Sequence, residues 1–386
     1  MKIDTAHLKS EIAAITADLI ATRHYLHAHP EPSGFEADTA AFVATQLATL
    51  GLDSLRTGVG GHGVIAELRG DQPGPTVALR ADMDALPILE QNQVDYCSTR
   101  PGVMHACGHD GHTTILLGAA RILSQHLDAI SGTIRFIVQP AEENVAGALK
   151  MCADGALDGV DAIFGLHGWP DLEVGQIGIL KGPMMAAVDD FDIEIGGRGG
   201  HAAYPHRTVD PIVVGARIVD ALQGLVSREI DPFDHAVVSV TKFVAGTTNN
   251  VIPSTALLSG TIRTLSGETR IRLVRRFHET VHGIATAAGA TAIINHLPGP
   301  PPVINDDAAT DRVGNVGAEA VGDENVIVLD HPSMGGEDFA VYLERIPGSF
   351  FRLGLGDVTN LHTPTFDFTD GALPVGVEMM CRLALG

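Results

Sequence analysis

Short apolar runs of strand length alternate with stretches of helix length through the first 166 residues, and that alternation confines the chain to a largely parallel sheet covered by helices. Strands are expected over 64–68, 76–80, 133–138 and 162–166, with helices over 36–50, 110–128 and 142–154. Ahead of them, Leu8, Ile12, Ile15, Leu19 and Leu26 return at helical spacing. The chain therefore opens with an amphipathic helix, which Pro30 terminates.

The pattern changes after Gly182-Pro183. Phe191, Ile193 and Ile195 alternate with Asp190, Asp192 and Glu194, the period of a half-exposed strand. Further strands are expected over 236–243 and 256–264 and helices over 208–226 and 268–288, the last capped by Ser266. The stiff run Leu297-Pro-Gly-Pro-Pro-Pro302 punctuates the chain before helix and strand alternation resumes. We read a main α/β domain from 1–183 and 298–386, interrupted by an inserted α/β sandwich over 184–297.

Composition excludes several classes. At about 150 residues per domain, 386 residues suit two or three domains. A net charge of −22 would repel a phosphate backbone, so no nucleic-acid partner is expected. No apolar run approaches the roughly 18 residues of a membrane span, and the first residues lack the apolar core of a signal peptide. Four widely spaced cysteines do not make a disulfide framework. A cytoplasmic protein with no membrane partner is expected.

The 18 histidines are numerous, and several cluster. In His105-Ala-Cys107-Gly-His109-Asp110-Gly-His112, a thiolate and an imidazole two residues apart open an apolar helix, where both can reach one borderline-soft metal ion. Alone, such a pair is as often a buried cysteine beside surface histidines. Gln139-Pro140-Ala141-Glu142-Glu143 follows the strand ending at Val138, where one carboxylate could ligate a metal and the other accept a proton from water. Alone, such a pair more often simply complements a helix dipole. His167 directly follows the apolar run 162–166. A parallel sheet brings the carboxyl ends of its strands into one crevice, so the three signals together favour a metal site. Cys107, His109, Glu143 and His167 supply four ligands, and a fifth from late in the chain, such as His362, would let two ions share them.

The segments Leu26-His-Ala-His-Pro-Glu31, Leu79-Arg-Ala-Asp-Met-Asp-Ala-Leu-Pro87, 104–112, 139–143, Leu166-His-Gly-Trp-Pro170, Gly197-Arg-Gly-Gly-His-Ala-Ala-Tyr-Pro-His206, Asn249-Asn-Val-Ile-Pro253, Gly335-Gly-Glu-Asp-Phe339 and Leu361-His-Thr-Pro364 run nearly end to end. In this order they resemble the M20 metallopeptidase and amidohydrolase family. Within it they are most similar to the branch of aminoacylase, hippurate hydrolase and indole-acetyl-amino-acid hydrolase type enzymes.

That resemblance implies a zinc-peptidase-like catalytic domain with a mainly parallel sheet and an inserted lid or dimerisation domain. It implies two divalent metal ions per subunit (Zn, Mn, Co or Ni) held by Cys107, His109, Glu143, His167 and His362, with Glu142 as general base. The peptidase branches carry a His-x-Asp ligand motif where this chain has Asp82-Met-Asp84. Asp82 is therefore not expected to ligate, and the departure points towards amidohydrolases; Asp84 resembles a carboxylate that orients a ligating histidine. His201, on a glycine-rich loop, corresponds to a residue that polarises the substrate carbonyl, and Asn250 and Arg263 to residues that bind the substrate carboxylate. His24, His27 and His29 are read as structural.

The expected function is metal-dependent hydrolysis of a small N-acyl amino acid to a carboxylic acid and an amino acid. Its rivals are a metallo-dipeptidase or carboxypeptidase, a metal-containing binding protein without catalysis, and a cysteine enzyme using Cys107 as nucleophile. The exposed strand edge of the inserted domain predicts a homodimer or higher homo-oligomer, with His201 serving either its own or the partner's site.

Overall fold

The computed structural model describes residues 4–386. Along the chain come α1 (Thr5–Ala28), α2 (Ala37–Ala48), β1 (Ser54–Val59), β2 (Gly63–Arg69), β3 (Gln72–Asp82), α3 (His109–Leu123), β4 (Ser131–Gln139), α4 (Gly147–Ala153), β5 (Ala162–Trp169) and β6 (Ile177–Ile179). A second group follows: β7 (Ala187–Gly196), α5 (Pro211–Gly224), β8 (Ala236–Ala245), β9 (Thr255–Thr264), α6 (Gly267–Ala287) and β10 (Thr291–Pro298). The chain closes with α7 (Asp307–Val321), β11 (Val326–Val328), β12 (Gly348–Gly354) and α8 (Leu373–Leu385). No helix among the described residues is long and apolar enough to cross a membrane.

Two compact units result: one comprises residues up to Gly182 with Ile304–His331 and Asp338–Gly386, the other Pro183–Val303 with Pro332–Glu337. In the first, eight strands lie in the order β1-β2-β4-β3-β5-β12-β6-β11. The central four, β4, β3, β5 and β12, are mutually parallel. Their carboxyl ends therefore face the same way. Helix α3, buried along almost its whole length, passes between α1 and α8 at Gly118, where any β-carbon would come within 2.8 Å of both Leu19 and Val377. Leu8, Ile12, Ile15 and Leu19 of α1 supply the inward stripe that the spacing predicts.

The second unit is a four-stranded antiparallel sheet, β8-β9-β7-β10. Phe191, Ile193 and Ile195 bury one face of β7 in its core while Asp190 and Glu194 are exposed, as the period of two requires. Helix α6 starts where Ser266 accepts from the Thr269 amide. The Pro-rich run does not end this unit at 298. Pro298 is still in register with Asp189, Gly299 donates to the Val188 carbonyl (2.8 Å), and the return falls between Val303 and Ile304. Residues 332–337 also rejoin it, with Ser333 donating to Met184 and the Ala186 amide to Gly335.

Three local differences from the sequence reading have physical causes. The helix expected over 142–154 starts only at Gly147, because Ala141 and Val145 adopt left-handed backbone (φ 57° and 53°) that a helix cannot contain. Strands β1 and β10 lie at sheet edges, so water wets much of their surface and the apolar alternation that marks a half-buried strand is weak. Strands β6 and β11 span three residues each, too few to show a period.

Candidate metal centre

Strands β4, β3 and β5 are neighbours, and their carboxyl ends deliver Gln139, Asp82 and His167 to one side of the sheet. Gly108, in left-handed conformation (φ 94°), turns the chain into α3 and sets Cys107 before the turn and His109 at the first helical position. Both side chains are buried. His362 enters from a loop before α8, also left-handed (φ 61°), pinned by its amide to the Ala106 carbonyl at 2.7 Å.

These residues converge. Cys107 Sγ lies 3.3 Å from His167 Nε2 and 3.2 Å from His362 Nε2, and His362 Nε2 lies 3.4 Å from Glu143 Oε1. His109 Nε2 is 4.0 Å from both Glu142 and Glu143. Two groups of potential ligands share the Cys107 sulfur: Cys107, His109 and His167, and Cys107, Glu143 and His362.

The protons on these rings are fixed by their other contacts. His109 Nδ1 faces the Asp84 carbonyl (2.9 Å), an obligate acceptor, so that nitrogen carries a proton and Nε2 is the nitrogen a metal would take once its own proton leaves. His167 Nδ1 likewise donates to the Gly168 carbonyl (2.7 Å), turning its unprotonated Nε2 towards Cys107. This is how imidazoles are oriented for metal. His109 Nε2 and Glu143 Oε1 are buried without any hydrogen-bond partner. Such atoms are costly unless something else binds them.

Charge points the same way. Burial, then Glu143, Glu142 and Asp82, push the Cys107 thiol well above its ordinary value. Burial alone would lower the His109 imidazole, but Asp82, Asp84 and Glu143 raise it to about 10. The carboxylates of Asp82, Asp84, Glu142 and Glu143 thus crowd negative charge around these donors, a charge that a cation would neutralise. With zinc bonds of about 2.3 Å to sulfur and 2.0–2.1 Å to nitrogen, a tetrahedral site separates the two ligand atoms by about 3.6 Å, a few tenths more than seen here. The donor set fits a pair of divalent cations.

Asp82 also borders this set, its Oδ2 3.8 Å from His109 Nε2 and grouped with His109 and His112 as potential ligands, but its oxygens are already engaged. Its carboxylate accepts from Arg80 and from His112 Nδ1 (2.6 Å), whose other nitrogen accepts from the Gly168 amide (2.8 Å). Asp82 and His112 thus brace the strand end that bears His167. Asp84 holds three groups: His109 Nδ1, the Glu143 amide (3.0 Å) and Ser33 Oγ (2.6 Å). Burial would raise its pKa, but the His109 contact, Ser33 and that amide keep it below the ordinary carboxylate range. Arg80, Ser33 and Glu36 support the site but escaped the sequence reading, since nothing short of the fold places them beside it.

The remaining expected residues lie in the second unit. His201 is exposed on a two-residue strand whose partner is Val251–Ile252, and its Nδ1 accepts from the Ala203 amide (3.1 Å). Asn250 sits across from it, its carbonyl accepting from Ala202 and its side-chain oxygen from Thr248. Arg263 lies elsewhere. It is eight residues along β9 from Thr255, roughly 26 Å at the rise of a strand, and donates to Thr261 Oγ1 and the Met334 carbonyl.

His7, Glu11 and His126 also gather at the surface of the first unit. Glu11 and His126 are already closed into a 2.7 Å hydrogen bond, tighter than two ligands of one tetrahedral ion stand, about 3.3 Å.

A mainly parallel α/β domain with buried Cys, His and Glu donors at its strand ends defines a metallohydrolase architecture. Residues 78–386 match the family Peptidase family M20/M25/M40, and the chain belongs to that family of hydrolases. It is 44% identical over 363 residues to a Bacillus subtilis protein named N-acetyl-L-cysteine deacetylase, covering 94% of this chain and 86% of that one. Identity is 48% over 315 residues to the N-acyl-L-amino acid amidohydrolase of Geobacillus stearothermophilus, covering 81% and 85%. A crystal structure from Bacillus subtilis, described as a dinuclear metal binding peptidase from the M20 family, superimposes with a TM-score of 0.85 at 40% identity, covering 97% of this chain and 98% of that one.

Proposed function

We propose that this enzyme hydrolyses the amide bond of N-acyl amino acids, using two divalent cations held by Cys107, His109, Glu143, His167 and His362. The observation that carries this reading is the Cys107 sulfur shared by two ligand groups, with the Glu142 carboxylate beside them. The names of the two curated relatives support the substrate class. A thiolate ligand favours Zn, Co or Ni over harder ions.

The bound ions would supply the Lewis acidity that polarises the acyl carbonyl and makes water acidic. Glu142 accepts the proton of the attacking water and returns it to the amide nitrogen as the carbon–nitrogen bond breaks, releasing a carboxylic acid and an amino acid. His201 donates to the developing oxyanion. With Nδ1 accepting from Ala203, the single proton of the neutral ring sits on Nε2, ready to be given. The Glu142–Glu143 pair divides labour in this scheme, which leaves Cys107 no role as a nucleophile.

Arg263 lies roughly 26 Å along β9 from Thr255, and the His201 strand pairs with Val251–Ile252, just before the Thr255 end of β9, so the two side chains belong to opposite ends of that strand. This supports a homodimer in which the partner's copy of the His201 loop completes the site. Four unpaired cysteines support a cytoplasmic location.

Assaying hippurate, N-acetyl amino acids and dipeptides side by side, with and without added metal, tests the reading. We expect metal-dependent release of amino acid from the acyl substrates. Dipeptides cleaved in preference would assign a peptidase, and binding without turnover would remove catalysis.

A further inference from the structure

The segment that presents Glu142 and Glu143 is an unusual piece of backbone. Two non-glycine residues, Ala141 and the β-branched Val145, bracket the pair in the left-handed region. Side chains rarely adopt that conformation, and surrounding contacts must impose it. The Ala141 carbonyl receives the amides of Ala146 and Gly147, and the Val145 amide donates to Glu142 (2.7 Å), so the turn is closed upon itself. Two carboxylates anchor it from outside. Asp84 takes the Glu143 amide, and Glu36 Oε1 takes the Ala141 amide at 2.8 Å.

Glu36 arrives from the other end of the sequence, 105 residues before Ala141, at the cap of α2. Its side chain is completely buried, and the same Oε1 also accepts from the Gly34 amide (2.8 Å). Its second oxygen, Oε2, is buried with no hydrogen-bond partner. A buried carboxylate with one orphaned oxygen disfavours folding, and such groups persist where they set a geometry. Here the group touched is the amide one residue before the proposed base.

We propose that Glu36 is a positioning residue for the hydrolytic reaction: through the Ala141 amide it holds Glu142 in line with the attacked bond, without ligating metal or moving a proton. This rests on the assignment of Glu142 as general base. Asp84 fixes the far side of the same turn and His109, whereas Glu36 touches the base side alone. Loss of the Glu36 contact should therefore lower turnover and spare the metals.

The test compares Glu36→Gln, Glu36→Asp and Glu36→Leu in the metal-loaded enzyme. Gln keeps an oxygen that can accept from Ala141, Asp keeps the charge but falls short of the amide, and Leu fills the space with no acceptor. Since about 1 Å of misplacement can cost on the order of 100-fold, we expect kcat to fall at least about 10-fold in the Asp and Leu variants. KM should stay within about threefold, and metal per chain and thermal midpoint should be retained in the Asp variant, with Gln restoring most of kcat. Amide exchange over 141–146 should quicken in the Asp variant ahead of the rest of the chain.

A double-mutant cycle with Glu142→Asp, which keeps a carboxylate at the base position, adds a readout that general damage would not move. If Glu36 acts through Glu142, its replacement costs less in that background than in the wild type; independent damage would multiply. Wild-type kcat in Glu36→Asp, or metal lost in step with activity, overturns the inference. Should Glu36→Leu fail to fold, the Asp and Gln variants decide. An active, metal-loaded Glu142→Gln enzyme would overturn the base assignment and this inference together, whereas an inactive one beside a fully active Glu36→Asp enzyme overturns this inference alone.

Discussion

Asp84 joins two parts of the candidate site: one oxygen lies 3.2 Å from His109 Nδ1, and the other accepts the Glu143 amide at 3.0 Å. Both partners belong to the proposed ligand set, so Asp84→Ala should loosen two ligands at once. Groups in this position are commonly worth 10- to 100-fold in metal affinity, and we expect a loss of about that size. Competition with a chelator of known affinity measures it. Unchanged affinity would show that the ring and the turn hold themselves.

Glu142→Gln should lower kcat by about 100-fold or more, the usual worth of a positioned general base, with the metal content of the wild type. Metal analysis beside a hippurate or N-acetyl amino acid assay gives both quantities. Loss of metal would make Glu142 a ligand instead.

Cys107 should be shielded from thiol reagents whenever metal is bound. Chelation should inactivate the enzyme reversibly, and Cys107→Ser should weaken metal binding, because a hydroxyl is a poorer ligand than a thiolate. Peptide mapping after alkylation distinguishes Cys107 from the half-buried Cys97 and Cys152. Equal labelling with and without metal, or an acyl group trapped on Cys107, would restore the nucleophile reading.

Stability should fall between pH 7 and pH 9 in part through His27. Burial would lower this imidazole, but hydrogen bonds to Asp110 and Glu90 raise it to about 9. A folded-state value above the ordinary 6.5 means that the bound proton stabilises the fold fully below pH 6.5, and that the gain disappears as pH rises through 9. His27→Gln should flatten the decline. Denaturant titrations of both proteins, metal-loaded, from pH 6.5 to 9.5 check the sign, and parallel curves would remove His27 from the account.

If His201 serves the partner's site, mixing inactive Glu142→Ala and His201→Ala proteins under subunit exchange should recover activity. Each mixed dimer would carry one site with an intact Glu142 of its own and an intact His201 from the other chain. No recovery despite demonstrated exchange, or a monomer in solution, would place His201 within its own chain.

Sequence periodicity by itself determined much of this protein's frame. The alternation of Phe191, Ile193 and Ile195 with acidic residues marks β7, and Ser266 marks the start of α6, because side-chain period and capping are local properties of a few consecutive residues. That Cys107, His109, Glu143 and His167 converge was legible because each lies just after a strand or beside the start of a helix, and a parallel sheet gathers such points, although Glu143 proves to sit in a closed turn between β4 and α4. Only the tertiary structure decided which oxygens and nitrogens face each other. The Glu36 contact to Ala141, the Asp82–His112 brace and the late return of the chain at Val303 join residues separated by 30 to more than 100 positions. Nothing in their neighbourhoods announces them. A left-handed Ala141 or Val145 is likewise invisible in sequence, since neither residue prefers that backbone: the closed turn, and the carboxylates that grip it, hold it there.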